Sequence, residues 1–158
     1  DFCDLVINIF KKYKGKEIVT LGGIGMPKIP KEAKVYCTAN SYNIIKKYKT
    51  KELNEKIFGV VGPIIGVTGL LIGLAEKYKI NAIALLAETF GHPNYLGIKG
   101  SNEILKLLNK KLILILNLKE LEKEIKDIEK EVKARTSKTV QKIKNETDVI
   151  EEKTSYIG

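Results

Sequence analysis

The chain has 158 residues, enough for one domain with a substantial core, and its 44% hydrophobic and 30% charged residues indicate a globular protein. The formal net charge is +9, but the 28 basic residues include a single arginine, Arg135, and the lysines are interleaved with glutamates. Because arginine is the side chain suited to bidentate contacts with bases and phosphates, this pattern indicates a solvated, lysine-rich surface and argues against nucleic-acid binding. The two cysteines, Cys3 and Cys37, have apolar neighbours and no zinc-ligand spacing, so no metal site is predicted.

The first third of the chain alternates helical and strand patterns. Predicted elements are an amphipathic helix over 1–13 closed by Gly15, strands over 17–21 and 34–38, a helical turn over 43–48 and a short polar loop or helix over 51–56. The apolar residues of the first helix begin at Phe2. We therefore expect the native protein to carry a further amino-terminal part.

The middle of the chain predicts the core of an α/β unit. Residues 64–78 form a helix that is apolar nearly all round, with Pro63 in its first turn, and such a helix must be covered by protein on most faces. Its glycines Gly66, Gly69 and Gly73 share one side, where a neighbouring backbone can approach closely. Residues 81–87 form a buried strand at the centre of a parallel sheet, and 101–112 form a helix with Ser101 as N-cap.

The longest apolar stretch, residues 57–75, has nearly the length of a membrane span. It is interrupted by Pro63 and five glycines, ends in Glu76 and Lys77, and leads directly into the next strand. This arrangement is typical of a core helix. The sequence also opens without a signal peptide, so we expect a cytoplasmic protein that does not bind membranes.

The clearest periodicity lies in residues 118–135. Apolar positions there step by three and four residues, and lysine and glutamate fill the remaining positions; the apolar set is Leu118, Leu121, Ile125, Ile128 and Val132. This seam packs either on the helix's own domain or on another subunit. Residues 136–158 predict a frayed helix and a polar tail that ends in Tyr156, Ile157 and Gly158.

Two glycine-rich segments are candidates for ligand binding. Gly22, Gly23 and Gly25 follow the first strand, but the spacing of a dinucleotide fingerprint and the Gly-Lys-Ser/Thr of an ATP loop are both missing. A tight turn at the strand end is the favoured interpretation, and a phosphate loop is the alternative. Gly62 precedes the apolar helix, where free N–H groups and the helix dipole favour an anion, from a metabolite, from Glu88 or from a partner.

The loop after the buried strand holds the only histidine, in the order Glu88, Thr89, Phe90, Gly91 and His92. A glutamate and a histidine four residues apart are a candidate acid–base pair. No activated nucleophile accompanies them, since the sequence has neither a GxSxG elbow nor a Cys-His signature. We therefore predict no catalytic residues, and we expect Glu88 to cap a helix or to hold the loop through backbone N–H groups.

Residues 62–97 resemble the PAC2 family, the proteasome assembly chaperone family, in its archaeal branch. The Gly-x-x-Gly-Leu-Leu helix and the Glu-Thr-x-Gly-x-Pro loop occur there in the family's order and separation. The segments 18–25, 35–40 and 100–112 also follow the family's order, so the resemblance covers roughly residues 1–135. The family is also described as uncharacterised and ATP-grasp-like.

The resemblance implies an α/β fold, a three-layer α/β/α sandwich with a mostly parallel, phosphorylase-like sheet, followed by a carboxyl-terminal helix and tail. The domain would span residues 1–135 and the extension residues 136–158. It implies a non-catalytic, cofactor-free protein that binds itself and, in some members, proteasome α subunits through a terminal hydrophobic-Tyr-x motif. Here Tyr156 is third from the end and follows Ser155, a departure from that motif. The alternative from the residues is a metabolite- or phosphate-binding enzyme that uses the Gly22–Gly25 and Glu88–His92 segments.

Overall fold

The computed structural model describes residues 2–51, 53–54, 64–92, 95–117, 120 and 122–128. The chain divides into two compact units, Asp1–Leu116 and Asn117–Gly158. The first unit is an α/β unit whose elements are α1 (Phe2–Lys12), β1 (Glu17–Met26), β2 (Val35–Ala39), α2 (Tyr42–Tyr48), β3 (Leu53–Asn54), α3 (Val67–Lys77), β4 (Asn81–Phe90) and α4 (Ile98–Leu112). The predicted boundary after residue 135 lies outside the described residues and stays a prediction.

The four described strands form one mixed sheet in the order β1-β4-β2-β3. β4 lies inside the sheet, parallel to β1 and antiparallel to β2, while β2 and β3 are parallel. Residues 82–88 of β4 are all buried, because helices cover both faces of this strand. The predicted central position of this strand is confirmed, and the sheet is mostly parallel rather than wholly so.

Alternation along β4 divides the core between two faces of the sheet. On one face, α1 and α3 pack over Ala82, Ala84 and Leu86. On the other face, α2 and α4 pack over Ile83, Leu85 and Ala87. The predicted α/β/α sandwich is therefore confirmed, and Cys3 and Cys37 are both buried, as their apolar neighbours indicated.

Polar side chains fix the strand ends. The side chain of Asn40, after β2, accepts the Ala82 N–H at 3.0 Å and donates to the Ile80 carbonyl at 2.7 Å, so it holds the start of β4. Glu17, at the start of β1, accepts from the Tyr48 hydroxyl at 2.7 Å and the Lys47 ammonium at 2.6 Å. These contacts anchor α2 to the edge of the sheet.

The carboxylate of Glu17 has a lowered pKa. Burial alone would raise the pKa, but the hydrogen bonds from Lys47 and Tyr48 and the charge of Lys47 outweigh it. The pKa of the Tyr48 hydroxyl is raised, first by burial and then by its hydrogen bond to Glu17.

Several predicted boundaries are wrong. β1 continues through Gly22, Gly23 and Gly25 to Met26, so these glycines belong to a strand and not to a turn or phosphate loop. β4 continues to Phe90. α4 begins at Ile98 with Gly97 as its N-cap, and the predicted cap Ser101 lies inside the helix.

The apolar helix α3 differs most from its prediction. It begins after Gly66, and only Leu71 and Ala75 are buried among its residues. Leu70 is 56% exposed, and the preceding Ile65 is 87% exposed. Within the described residues, the outer face of this helix is thus uncovered, contrary to the expectation that protein encloses it on most sides.

The described part of the second unit is short. Residues 122–128 are helical, which agrees with the predicted helix over this range. The Asn117 side chain accepts the Glu120 N–H at 3.4 Å and donates to the Glu120 carboxylate at 3.0 Å. None of the helices described in either unit has both the length and the apolar character that a bilayer crossing needs.

Candidate functional site

A pocket of about 520 Å³ opens along the carboxyl-terminal halves of the neighbouring parallel strands β1 and β4. The first turns of α4 and the segment 95–97 close its other sides. Its walls are formed by Leu21, Gly22, Gly23, Ala87, Thr89, Tyr95, Leu96, Gly97, Gly100, Ser101, Ile104 and Leu105. Ligands of open α/β sheets bind beyond the carboxyl ends of the strands, and this volume is in the range of small-ligand sites.

Glycines give the pocket its shape. A Cβ at Gly23 would lie 2.9 Å from the Thr89 methyl group, and one at Gly97 would lie 3.1 Å from the Thr89 hydroxyl oxygen. At Gly100 a Cβ would lie 2.9 Å from the Glu88 carbonyl oxygen and 3.0 Å from Ala87 Cβ. Gly97 also has φ +64°, a conformation that side chains rarely adopt. α4 therefore packs directly on the backbone of β4, and Thr89 lies between Gly23 and Gly97.

The lining is mostly apolar. Its side-chain polar groups are the hydroxyls of Thr89, Ser101 and Tyr95, and the α4 N-terminus beside them has no side-chain cap. Within the described residues, no group of three metal-ligating side chains is present. The arrangement favours binding of an apolar group with a small polar end, and its described lining residues include no acid–base pair.

Glu88 lies on the opposite face of β4 from Thr89, because neighbouring strand residues point to opposite faces. It is 8% exposed, and its carboxylate accepts from the Tyr36 hydroxyl and from the Lys34 backbone N–H, both at 3.1 Å. The Glu88 N–H donates in turn to the Lys34 carbonyl at 2.9 Å. Glu88 thus accepts a backbone N–H from the segment before β2, whereas the prediction had it hold its own loop or cap a helix.

The carboxylate contact also changes the titration of its phenol partner. Burial raises the pKa of the Tyr36 hydroxyl, and the hydrogen bond and negative charge of Glu88 raise it further. The raised pKa keeps the Tyr36 phenol neutral, so that it donates to the Glu88 carboxylate. This pair could not be predicted from the sequence, because Tyr36 lies in a predicted strand and no motif links it to Glu88.

The Glu88 and His92 pair predicted as a possible acid and base does not form. His92 is exposed, and its ring stacks on Phe90 with 5.6 Å between the ring centroids. Phe90 also makes an edge contact with Tyr95 at 5.9 Å. Glu88 makes its hydrogen bonds to Tyr36 and Lys34 instead, on a strand where a loop had been predicted.

The remaining predicted site residues are divided. Gly22, Gly23 and Thr89 line the pocket, whereas Gly25 and Gly91 lie together at the strand ends, where a Cβ on either would be 3.5 Å from the other's Cα. Ile125 and Ile128 of the predicted seam lie on the helix over 122–128. The other predicted positions, Gly62, Leu118, Leu121, Val132, Tyr156 and Ile157, lie outside the described residues.

Sequence reasoning missed the far wall of the pocket. Tyr95, Leu96, Gly97 and Gly100 were not selected as site residues, although they follow the loop that was. The available signal was Gly97 and Gly100, three residues apart. The sequence analysis placed them in a loop, whereas they lie at the start of α4.

The family model for the PAC2 family matches residues 1–135, and the chain belongs to this family. An uncharacterized protein of Methanocaldococcus jannaschii is 31% identical over 121 residues, which is 75% of this chain and 44% of that protein. The chain thus spans less than half the length of this curated relative.

Two solved structures from Pyrococcus furiosus share the fold. PbaA, described as an archaeal homolog of proteasome-assembly chaperone, superposes with a TM-score of 0.71 at 22% identity, over 99% of this chain and 63% of that one. PbaB, described as an archaeal proteasome activator, gives a TM-score of 0.72 at 23% identity, over 85% of this chain and 57% of that one.

Proposed function

We propose that this chain is the core of a non-catalytic, self-associating protein that binds other polypeptides and assists proteasome assembly. Membership of the PAC2 family carries this proposal. The structural similarity to PbaA, a homolog of proteasome-assembly chaperone, and to PbaB, a proteasome activator, supports it. The glycine-walled pocket fits the same view, because it offers apolar surface and no reacting group. A cytoplasmic location and the absence of a bound cofactor are parts of the proposal.

The proposed partner is a proteasome α subunit, and the proposed contact is the carboxyl-terminal tail. Tyr156 and Ile157 end a polar segment, where an aromatic ring with an apolar neighbour is suited to an apolar groove. The seam of Leu118, Leu121, Ile125, Ile128 and Val132 remains proposed as a contact between subunits.

The tail contact is tested by surface plasmon resonance on immobilised archaeal α subunits. We expect Tyr156→Ala to weaken binding at least tenfold, because the ring supplies most of the apolar area of the tail. Tyr13→Ala is the matched control, since Tyr13 is 75% exposed on the α/β unit. Equal binding by the two variants removes the role of the tail, and no binding by any form removes the proposed partner.

A metabolite-binding function is the second candidate. The observation that favours it is the position of the pocket, at the carboxyl ends of two parallel strands beside an uncapped helix N-terminus. A thermal-shift screen of phosphates and nucleosides tests it, since a ligand that binds only the folded state raises the melting temperature. A shift that disappears in Thr89→Leu, which fills the pocket, supports this candidate; a flat screen removes it.

A further inference from the structure

Leu112, the last residue of α4, and the four residues after it expose a continuous apolar run. We call residues 112–116 the apolar strip. Its exposed fractions are 41% for Leu112, 78% for Ile113, 44% for Leu114, 90% for Ile115 and 39% for Leu116. Single exposed leucines are ordinary, but five consecutive exposed aliphatic residues are unusual on a protein surface and mark a contact with another molecule.

Two residues of the apolar strip have a strained backbone conformation. Ile113 has φ +53° and Ile115 has φ +55°, in the left-handed region that β-branched residues strongly avoid. Leu114 and Ile115 make no backbone hydrogen bond within the described residues, and the Leu116 N–H donates to the Asn109 side chain at 3.0 Å. An extended conformation with a paired neighbour relieves both isoleucines and satisfies the open backbone groups.

The sequence of the apolar strip is complementary to a second copy of itself. Leu-Ile-Leu-Ile-Leu reads the same in both directions, so two antiparallel copies centred on Leu114 pair every residue with an aliphatic one. The leucines then share one face and the isoleucines the other.

Charge selects the antiparallel arrangement. Lys110 and Lys111 precede the apolar strip, and an in-register parallel pair would place each lysine beside its copy. Antiparallel pairing instead places Lys111 of one copy opposite the neutral Asn117 of the other. Lys110 and Lys111 of the two copies then lie at opposite ends of the paired strands. Like charges directly opposite each other destabilise a strand pair, so the second copy fits in one direction only.

We propose that residues 112–116 pair as an antiparallel strand with the same residues of a second copy, around a two-fold axis through Leu114. Each copy presents the same surface to the other, as a closed dimer requires. The inference rests on the proposed self-association and names its surface. Binding to a proteasome subunit does not depend on it.

Sedimentation velocity of the full chain over a range of concentrations tests the surface. We expect a concentration-dependent dimer that Leu114→Asp weakens at least tenfold, because it places two carboxylates opposite each other at the axis. Leu5→Asp is the matched control, since Leu5 is 56% exposed on α1 of the same unit, and it should leave the dimer intact. A dimer that survives Leu114→Asp overturns the proposed surface and leaves self-association standing, whereas a monomeric parent chain overturns both.

Disulfide trapping tests the register and does not require the aspartate variant to fold. Leu114→Cys should form a covalent dimer with itself under mild oxidation, since the two-fold axis places each cysteine opposite its copy. Leu112→Cys alone should not, but mixed with Leu116→Cys it should give a covalent heterodimer. Trapping of Leu112→Cys with itself as efficiently as Leu114→Cys contradicts the antiparallel register.

Discussion

The close packing of α4 on β4 makes Gly100 intolerant of a methyl group. A Cβ there would lie 2.9 Å from the Glu88 carbonyl oxygen and 3.0 Å from Ala87 Cβ, both on the rigid central strand. Forcing one carbon into such a contact costs about 1–3 kcal/mol. Gly73 in α3 is the matched control, because a Cβ there meets nothing within 4 Å. Gly73→Ala should stabilise the fold by about 0.5–1 kcal/mol, the helix preference of alanine over glycine.

The difference between the two variants isolates the packing contact, because both gain from the alanine backbone. We expect Gly100→Ala to be less stable than Gly73→Ala by about 1–3 kcal/mol in urea unfolding. In a chain of this length that difference corresponds to a gap of roughly 2–12 °C in melting temperature. Equal stability of the two variants would refute the close approach of α4 to β4.

Two further predictions concern hydrogen-bonded carboxylates. Glu88→Ala should lower the free energy of unfolding by about 2–4 kcal/mol, because it leaves the Tyr36 hydroxyl and the Lys34 N–H without an acceptor, and Glu88→Gln should cost less; urea unfolding measures both. Glu17 has a lowered folded pKa, so its contribution to stability is complete above its unfolded value and is lost as the pH falls through the folded value. Melting curves from pH 7 to pH 3 should therefore show a smaller acid loss for Glu17→Gln, and parallel curves for the two proteins would contradict the salt link with Lys47.

Apolar periodicity predicted the α/β unit, whereas the three-layer sandwich was predicted from the family resemblance. The buried strand and its helices follow from apolar patterns, and both faces of β4 are covered as a continuous apolar run requires. The glycines of β1 were misread as a turn because their role depends on a neighbour. A Cβ at Gly22 or Gly23 would lie 2.9 Å from the side chain of Leu86 or Thr89, so the glycines make room across the sheet.

The candidate site remains a prediction, and the structure shows only where its residues lie. Of the predicted set, Gly22, Gly23 and Thr89 line one pocket on the α/β unit, and Glu88 does not. Glu88 was assigned to the same loop because the strand was expected to end at Ala87. Since β4 continues to Phe90, Glu88 and Thr89 point to opposite faces of the sheet. Which of the two side chains faces the pocket therefore depends on where the strand ends, and apolar periodicity does not fix that boundary.

Calorimetric titration of purified archaeal proteasome α subunits with this chain tests the central claim most directly. The account predicts saturable binding with a negative heat-capacity change, the mark of apolar surface buried between two polypeptides. No binding to the subunits, together with turnover of a small molecule that Thr89→Leu abolishes, would contradict it and make the pocket an active site.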